Sequence, residues 1–142
     1  MAFIPAKESR SEYPWVSYPA ATGTYVAGQI VQLKSGVLTA LTAALTTTPQ
    51  FINKSEVVIA SPPTDLNGGK LLAMPYETDP DEEYYVPISA AVSSGDILAG
   101  TLGSVSSDGL KFVTGTAGKV LLLSKIPDGS PIGFIARVKF VQ

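Results

Sequence analysis

Four carboxylates crowd one short stretch of the chain: Asp79, Asp81, Glu82 and Glu83. Two carboxylates can hydrolyse a glycoside when they face the sugar from opposite sides of the bond. Neighbours in one acidic loop do not meet that geometry. The stretch also lacks the glycine and the ligand spacing of a calcium loop. The reading is a solvated loop. Other chemistry is thinner still. With no Cys, thiolate catalysis, disulfides and Cys-based zinc sites are excluded. With no His, the commonest general base and metal ligand is missing, and a Ser-His-Asp triad cannot be built. No Lys has Ser three positions before it, which removes the S-x-x-K dyad, and no G-x-G occurs. Gly68-Gly69-Lys70 has neither the earlier Gly nor the following Ser/Thr of a phosphate loop, and Asn67-Gly68 reads as a tight turn. A biotin- or lipoyl-type carrier would need Lys beside Met at a hairpin tip, whereas Lys70 stands four residues from Met74. Asn53-Lys54-Ser55 fits a glycosylation sequon, but no secretion signal precedes it. The expectation is a non-enzymatic protein with no cofactor and no metal.

Composition narrows the class. The 142 residues fit one domain, of a size that buries roughly 68–70% of its extended-chain surface. Apolar residues make up 45% and charged residues 15%, below the roughly 25% of an average soluble domain. A net charge of −2 excludes disorder by charge excess. Lys and Arg (10) do not outnumber Asp and Glu (12), so no nucleic-acid footprint is expected. The start of the chain carries Lys7, Glu8 and Arg10 and no apolar signal core. The longest uncharged stretches, 13–33 and 35–53, are broken by Pro, Gly and Thr, so no membrane span is expected.

The patterning is that of strands. Residues 1–23 form an extended N-terminal arm, punctuated by Pro5, Pro14 and Pro19, with Phe3, Tyr13, Trp15 and Tyr18 as its aromatics. Such an arm cannot bury these rings against itself; they lie on the parent domain or on a neighbouring subunit. From residue 24 to 142 strand signals alternate with turns every 8 to 12 residues, the rhythm of a small barrel or sandwich. Residues 25–34, 51–60 (with 56–60 as its core), 70–74, 84–88, 110–114, 119–126 and 132–141 read as strands, with 120–123 covered on both faces. Leu38, Leu41 and Leu45 have helical spacing, so a single short helix at 38–45 competes with a strand there. A short internal echo pairs Ala27-Gly28-Gln29-Ile30-Val31 with Ser94-Gly95-Asp96-Ile97-Leu98. The fold class is all-β: a small β-barrel domain (24–142) with an extended N-terminal arm.

Three segments carry a family resemblance: Gly95-Asp96-Ile97-Leu98, the Ser107-Asp108-Gly109 turn with its strand to Val113, and Pro131-Ile132-Gly133-Phe134-Ile135-Ala136. Together they resemble the head decoration (capsid cement) proteins of tailed bacteriophages. The resemblance covers the last third of the chain best, and residues 46–90 have no matching part. It implies a β-tulip-like barrel with an N-terminal arm. It also implies a structural role on the outer capsid surface of the virion, after synthesis in the host cytoplasm. The implied partners are the major capsid protein and further copies of the chain, as a homotrimer that staples neighbouring capsid proteins. No nucleic acid and no membrane are implied. Phe3, Tyr13, Trp15 and Tyr18 are the interface residues expected on this reading. The alternative is a non-catalytic carbohydrate- or ligand-binding β module, for adhesion or as a head-fibre base, with Trp15, Tyr18, Tyr76, Tyr84 and Tyr85 stacking on sugar rings.

Overall fold

In Ile135–Phe140 the side chains alternate: Ala136, Val138 and Phe140 are buried, while Ile135 and Arg137 are exposed. That period of two builds the whole molecule. The computed structural model describes residues 2–6, 16–54, 56–60, 69–75, 82–115 and 118–141. Among these are thirteen strands and no helix. They are β1 (Ile4–Pro5), β2 (Val16–Pro19), β3 (Gly23–Tyr25), β4 (Ile30–Lys34), β5 (Val37–Ala40), β6 (Phe51–Asn53) and β7 (Val57–Ile59). Then follow β8 (Lys70–Pro75), β9 (Glu83–Pro87), β10 (Leu102–Val105), β11 (Phe112–Val113), β12 (Val120–Leu122) and β13 (Ile135–Phe140). One sheet runs β1-β9-β13-β12-β10-β11, a second β2-β8-β6-β4-β5, and β3 pairs with β7.

The fold is all-β, in sheets rather than a closed barrel. Each large sheet curls enough for one isolated parallel bridge to form across it, Ala20 with Leu38 between the β2 and β5 sides of the first sheet and Ile88 with Phe112 between the β9 and β11 sides of the second. The helix considered at 38–45 does not form. Leu38 belongs to β5, and Leu45 makes an isolated antiparallel bridge to Val105. The β-branched and Thr-rich surroundings and the Gly36 turn (φ 79°) favour the hairpin.

The two sheets are copies of one topology. In the first unit (16–75) β2 pairs β8, β8 pairs β6, β6 pairs β4 and β4 pairs β5. In the second (83–140) β9, β13, β12, β10 and β11 repeat those pairings in the same chain order. The register agrees as well. Ile30, Ile52 and Met74 lie opposite one another across the first sheet, as Leu102, Leu121 and Lys139 do across the second. The Tyr25–Val57 pair is matched by the Ile97–Ile126 bridge. Backbone hydrogen bonds follow suit. The Gly28 N–H donates to the Asn53 carbonyl as the Gly100 N–H does to Leu122; the Ala21 N–H donates to Leu38 as the Ser89 N–H does to Phe112. Superposed in this register, Gly23-Thr24-Tyr25-Val26-Ala27-Gly28-Gln29-Ile30 corresponds to Gly95-Asp96-Ile97-Leu98-Ala99-Gly100-Thr101-Leu102. The echo expected from sequence is therefore real in kind but placed at the wrong partner: Gly28 answers to Gly100, not to Gly95. Gly28 (φ 82°) and Gly100 (φ 93°) both take the left-handed conformation that ends the turn before β4 and β10.

Each unit encloses its own core, and side-chain volume is redistributed between equivalent sites. Val31 and Leu38 in the first unit become Gly103 and Phe112 in the second. A Cβ at Gly103 would overlap the Phe112 ring, so the larger ring requires the smaller residue. The first core holds Tyr25, Val31, Leu38, Phe51, Ile59, Leu71 and Ala73. The second core holds the inward residues of β9–β13 and is completed by Phe3, Ile30, Leu41, Ile52 and Met74. The row Ile30–Ile52–Met74 on the outer face of the first sheet thus packs against the second unit. Strand β12, expected to be covered on both faces, is covered on one: Val120 and Leu122 are buried and Leu121 is half-exposed. Four apolar residues in a row do not by themselves report a two-sided burial.

Candidate functional site

The arm aromatics do not share one fate. Phe3 is fully buried in the chain's own core. Its ring packs 5.2 Å from Phe140 and edge-on to Tyr84 at 6.2 Å. The Phe3 N–H donates to the Gly28 carbonyl at 3.0 Å, and Ile4 and Pro5 pair with Tyr85 and Tyr84 of β9. In the single chain Phe3 is therefore a core residue, and the expectation that it faces a neighbour is corrected. The cause is Gly28. Its missing Cβ lets the Phe3 backbone approach to a distance at which that Cβ would lie 2.5 Å from the Phe3 carbonyl oxygen. Tyr18 is half-buried on β2, its ring 5.1 Å from Phe51 and edge-on to it. Tyr13 and Trp15 lie outside the described residues. Of the rings considered for sugar stacking, Tyr84 is fully buried and unable to stack, Tyr85 is exposed, and Tyr76 lies outside the described residues.

A polar knot fixes the junction between the units. The Gln29 side-chain Oε1 accepts from the Val26 N–H (3.1 Å), and its Nε2 donates to the Asp108 carbonyl (3.1 Å). The Asn53 Nδ2 donates to the Val26 carbonyl (2.9 Å). The Ile30 N–H donates to the Gly109 carbonyl (2.9 Å). Gln29 and Asn53 are buried, and hydrogen bonds to backbone let such groups leave water. The tip that receives them is the Ser106–Gly109 turn. There Asp108 Oδ1 accepts from the Ser106 hydroxyl (2.5 Å) and from the Leu110 N–H (3.0 Å).

The carboxylate cluster is divided. Glu82 is buried, and its Oε1 accepts from the Glu83 N–H (3.1 Å). Glu83 Oε1 meets Arg137 at both Nε (2.7 Å) and Nη2 (2.6 Å). Asp79 and Asp81 lie outside the described residues. Among the described residues no three or more of His, Cys, Asp and Glu come together to hold a metal. Asp96 has its pKa lowered, first by the Asp128 N–H donating to its Oδ1 (2.8 Å); desolvation opposes this, and Lys125, 3.6 Å away, adds to the lowering. Burial raises the pKa of Tyr25, whose hydroxyl donates to the Ala21 carbonyl (2.7 Å).

What remains is surface. The outer face of the second sheet exposes Tyr85, Leu102 and Ile135, with Ile4 on the adjoining β1 and the Arg137–Glu83 pair among them. Sequence reading offered Tyr85 as a ring for sugar stacking but did not place it beside Leu102 and Ile135 on one sheet face. The available signal was alternation, since Tyr85 stands between two buried positions, Tyr84 and Val86. A cavity of about 390 Å³ opens on the first unit beside Val31, Leu33, Lys34, Leu45, Thr47 and Gln50. A smaller one of about 190 Å³ lies beside Val92, Ser93, Gly95 and Thr114. Neither is lined by a carboxylate. No helix among the described residues is long and apolar enough to cross a membrane. Comparison with known proteins gives no matching family model and no matching curated protein.

Proposed function

We propose that this chain is a structural virion protein that binds the outside of a tailed-phage head and staples neighbouring major capsid proteins. The observation that carries the reading is the exposed sheet face bearing Ile4, Tyr85, Leu102 and Ile135, large apolar side chains set around the Arg137–Glu83 pair on an all-β body. Aromatic and aliphatic groups on a preformed sheet bind with little loss of conformational freedom. Many copies on one shell act together, so a modest affinity per copy suffices. The resemblance of Gly95–Leu98, Ser107–Val113 and Pro131–Ala136 to decoration proteins supports the same reading. Its test is co-sedimentation of the purified chain with expanded, empty heads from the same source, at low and high salt. Saturable, salt-resistant binding at a fixed ratio to the major capsid protein is expected, and Tyr85→Ala is expected to weaken it. Absence of binding would refute the proposal.

A further inference from the structure

The two units meet through surfaces whose counterparts are both left open. Inside the chain, the outer row Ile30–Ile52–Met74 of the first unit is buried against the second. The seat on the second unit is the end of β10 and the tip of the β10–β11 hairpin. Val105 there exchanges both backbone hydrogen bonds with Leu45, and Asp108 and Gly109 receive Gln29 and Ile30.

The repeat maps each half of this contact onto the opposite unit. The row equivalent to Ile30–Ile52–Met74 is Leu102–Leu121–Lys139, and it lies at the surface, with Leu102 42% exposed. The seat equivalent to Val105 is Leu33. Its N–H is held by the exposed side chain of Gln50 (2.9 Å) instead of by a strand. The cavity of about 390 Å³ opens at that place, beside Val31, Leu33 and Thr47.

We infer that a second copy of this chain docks head-to-tail. Its Leu102–Leu121–Lys139 row covers the open side of the first unit at Leu33, as the Ile30–Ile52–Met74 row covers the second unit within one chain. The internal contact identifies the occupant, because it shows the equivalent row of the first unit buried against the second unit. The connector that carries Leu45 (41–50) has only a shorter counterpart (114–119), and the shorter β4–β5 hairpin has no equivalents of Asp108 and Gly109, so the contact between copies rests on the row. Lys139 stands where the buried row has Met74 and makes this contact weaker than the internal one. A contact between two different patches closes into rings or extends as a filament, unlike a two-fold dimer. The inference rests on the repeat and not on capsid binding.

Sedimentation equilibrium of the full chain over a range of concentrations tests it. Reversible self-association is expected. Leu121→Glu removes the row and Thr47→Trp fills the seat; each alone is expected to weaken association roughly tenfold or more, with circular dichroism unchanged. Mixed together they are expected to form a one-to-one heterodimer and nothing larger, because each keeps the surface the other has lost. Lys139→Met is expected to tighten the wild-type association. A wild-type chain that stays monomeric at its highest soluble concentration would overturn the inference. So would folded single variants whose mixture remains monomeric. Head binding by a monomeric chain would leave the capsid reading standing while this one fails.

Discussion

Gly28 and Gly100 occupy the same turn in the two units, and only one has the N-terminal segment lying on it. Both have positive φ, 82° and 93°. Alanine at either site must adopt a left-handed backbone, which costs roughly 1–2 kcal/mol. At Gly100 nothing stands within 4 Å of the added Cβ, so that strain is the whole cost. At Gly28 the Cβ would lie 2.5 Å from the Phe3 carbonyl oxygen and 2.9 Å from the Phe3 nitrogen and carbonyl carbon. Backbone cannot swing aside as a side-chain tip can, so β1 must lift and draw Phe3 out of the core. Emptying a Phe site costs about 3–5 kcal/mol when the cavity does not collapse. Gly28→Ala is therefore expected to cost up to about 4–7 kcal/mol, the sum of those two contributions, and Gly100→Ala about 1–2. The larger figure is comparable with the whole stability of a typical domain, about 5–15 kcal/mol. Urea denaturation of both variants, with Phe3→Ala and the Gly28→Ala/Phe3→Ala double variant, reads the difference. The double variant is expected to be far less destabilised than the sum of the singles, since both remove one contact. Equal costs at the two glycines, or strict additivity with Phe3→Ala, would refute the account of how the N-terminal segment is held.

Deleting residues 1–23 removes Phe3 and the whole of β2; the truncated chain is expected to lose cooperative unfolding, and a sharp, near-wild-type melt would show that neither is needed. Asn53→Ala takes a buried donor from the Val26 carbonyl and is expected to cost about 1–3 kcal/mol in chemical denaturation. Arg137→Ala breaks an exposed pair with Glu83 and is expected to change stability by less than about 1 kcal/mol, shrinking further in high salt. Asp96 has a pKa depressed below 3.8 in the folded chain, so its stabilising contribution is present in full above that value and lost as pH falls through the depressed one. The stability difference between wild type and Asp96→Asn is expected to persist at neutral pH and vanish in acid. Thermal melts of both proteins across the acid range check this, and a difference independent of pH would count against it.

The amino-acid sequence alone determined the class of fold. Period-two alternation in 132–141, the Ser107-Asp108-Gly109 turn and the dense Gly and Pro punctuation all follow from local stereochemistry, and local stereochemistry is written residue by residue. The absence of His and Cys likewise bounded the chemistry, because composition does not depend on how the chain folds. The tertiary structure decided the rest. Helix or strand at 38–45 was settled by pairing of Leu38 with Leu33 on β4, a contact local spacing does not encode. The duplication was nearly invisible because packing conserves summed volume rather than identity: Val31 with Leu38 and Gly103 with Phe112 fill equivalent sites with different side chains. Its legible trace was Val26-Ala27-Gly28 against Leu98-Ala99-Gly100, where the left-handed turn admits only glycine without strain. The destination of Phe3 was decided by an approach between residues distant in sequence. An aromatic in a proline-punctuated arm reads as an interface residue until a glycine elsewhere makes room for it in the core. The outer row Leu102–Leu121–Lys139 acquired meaning only when the register of two sheets showed what covers its twin.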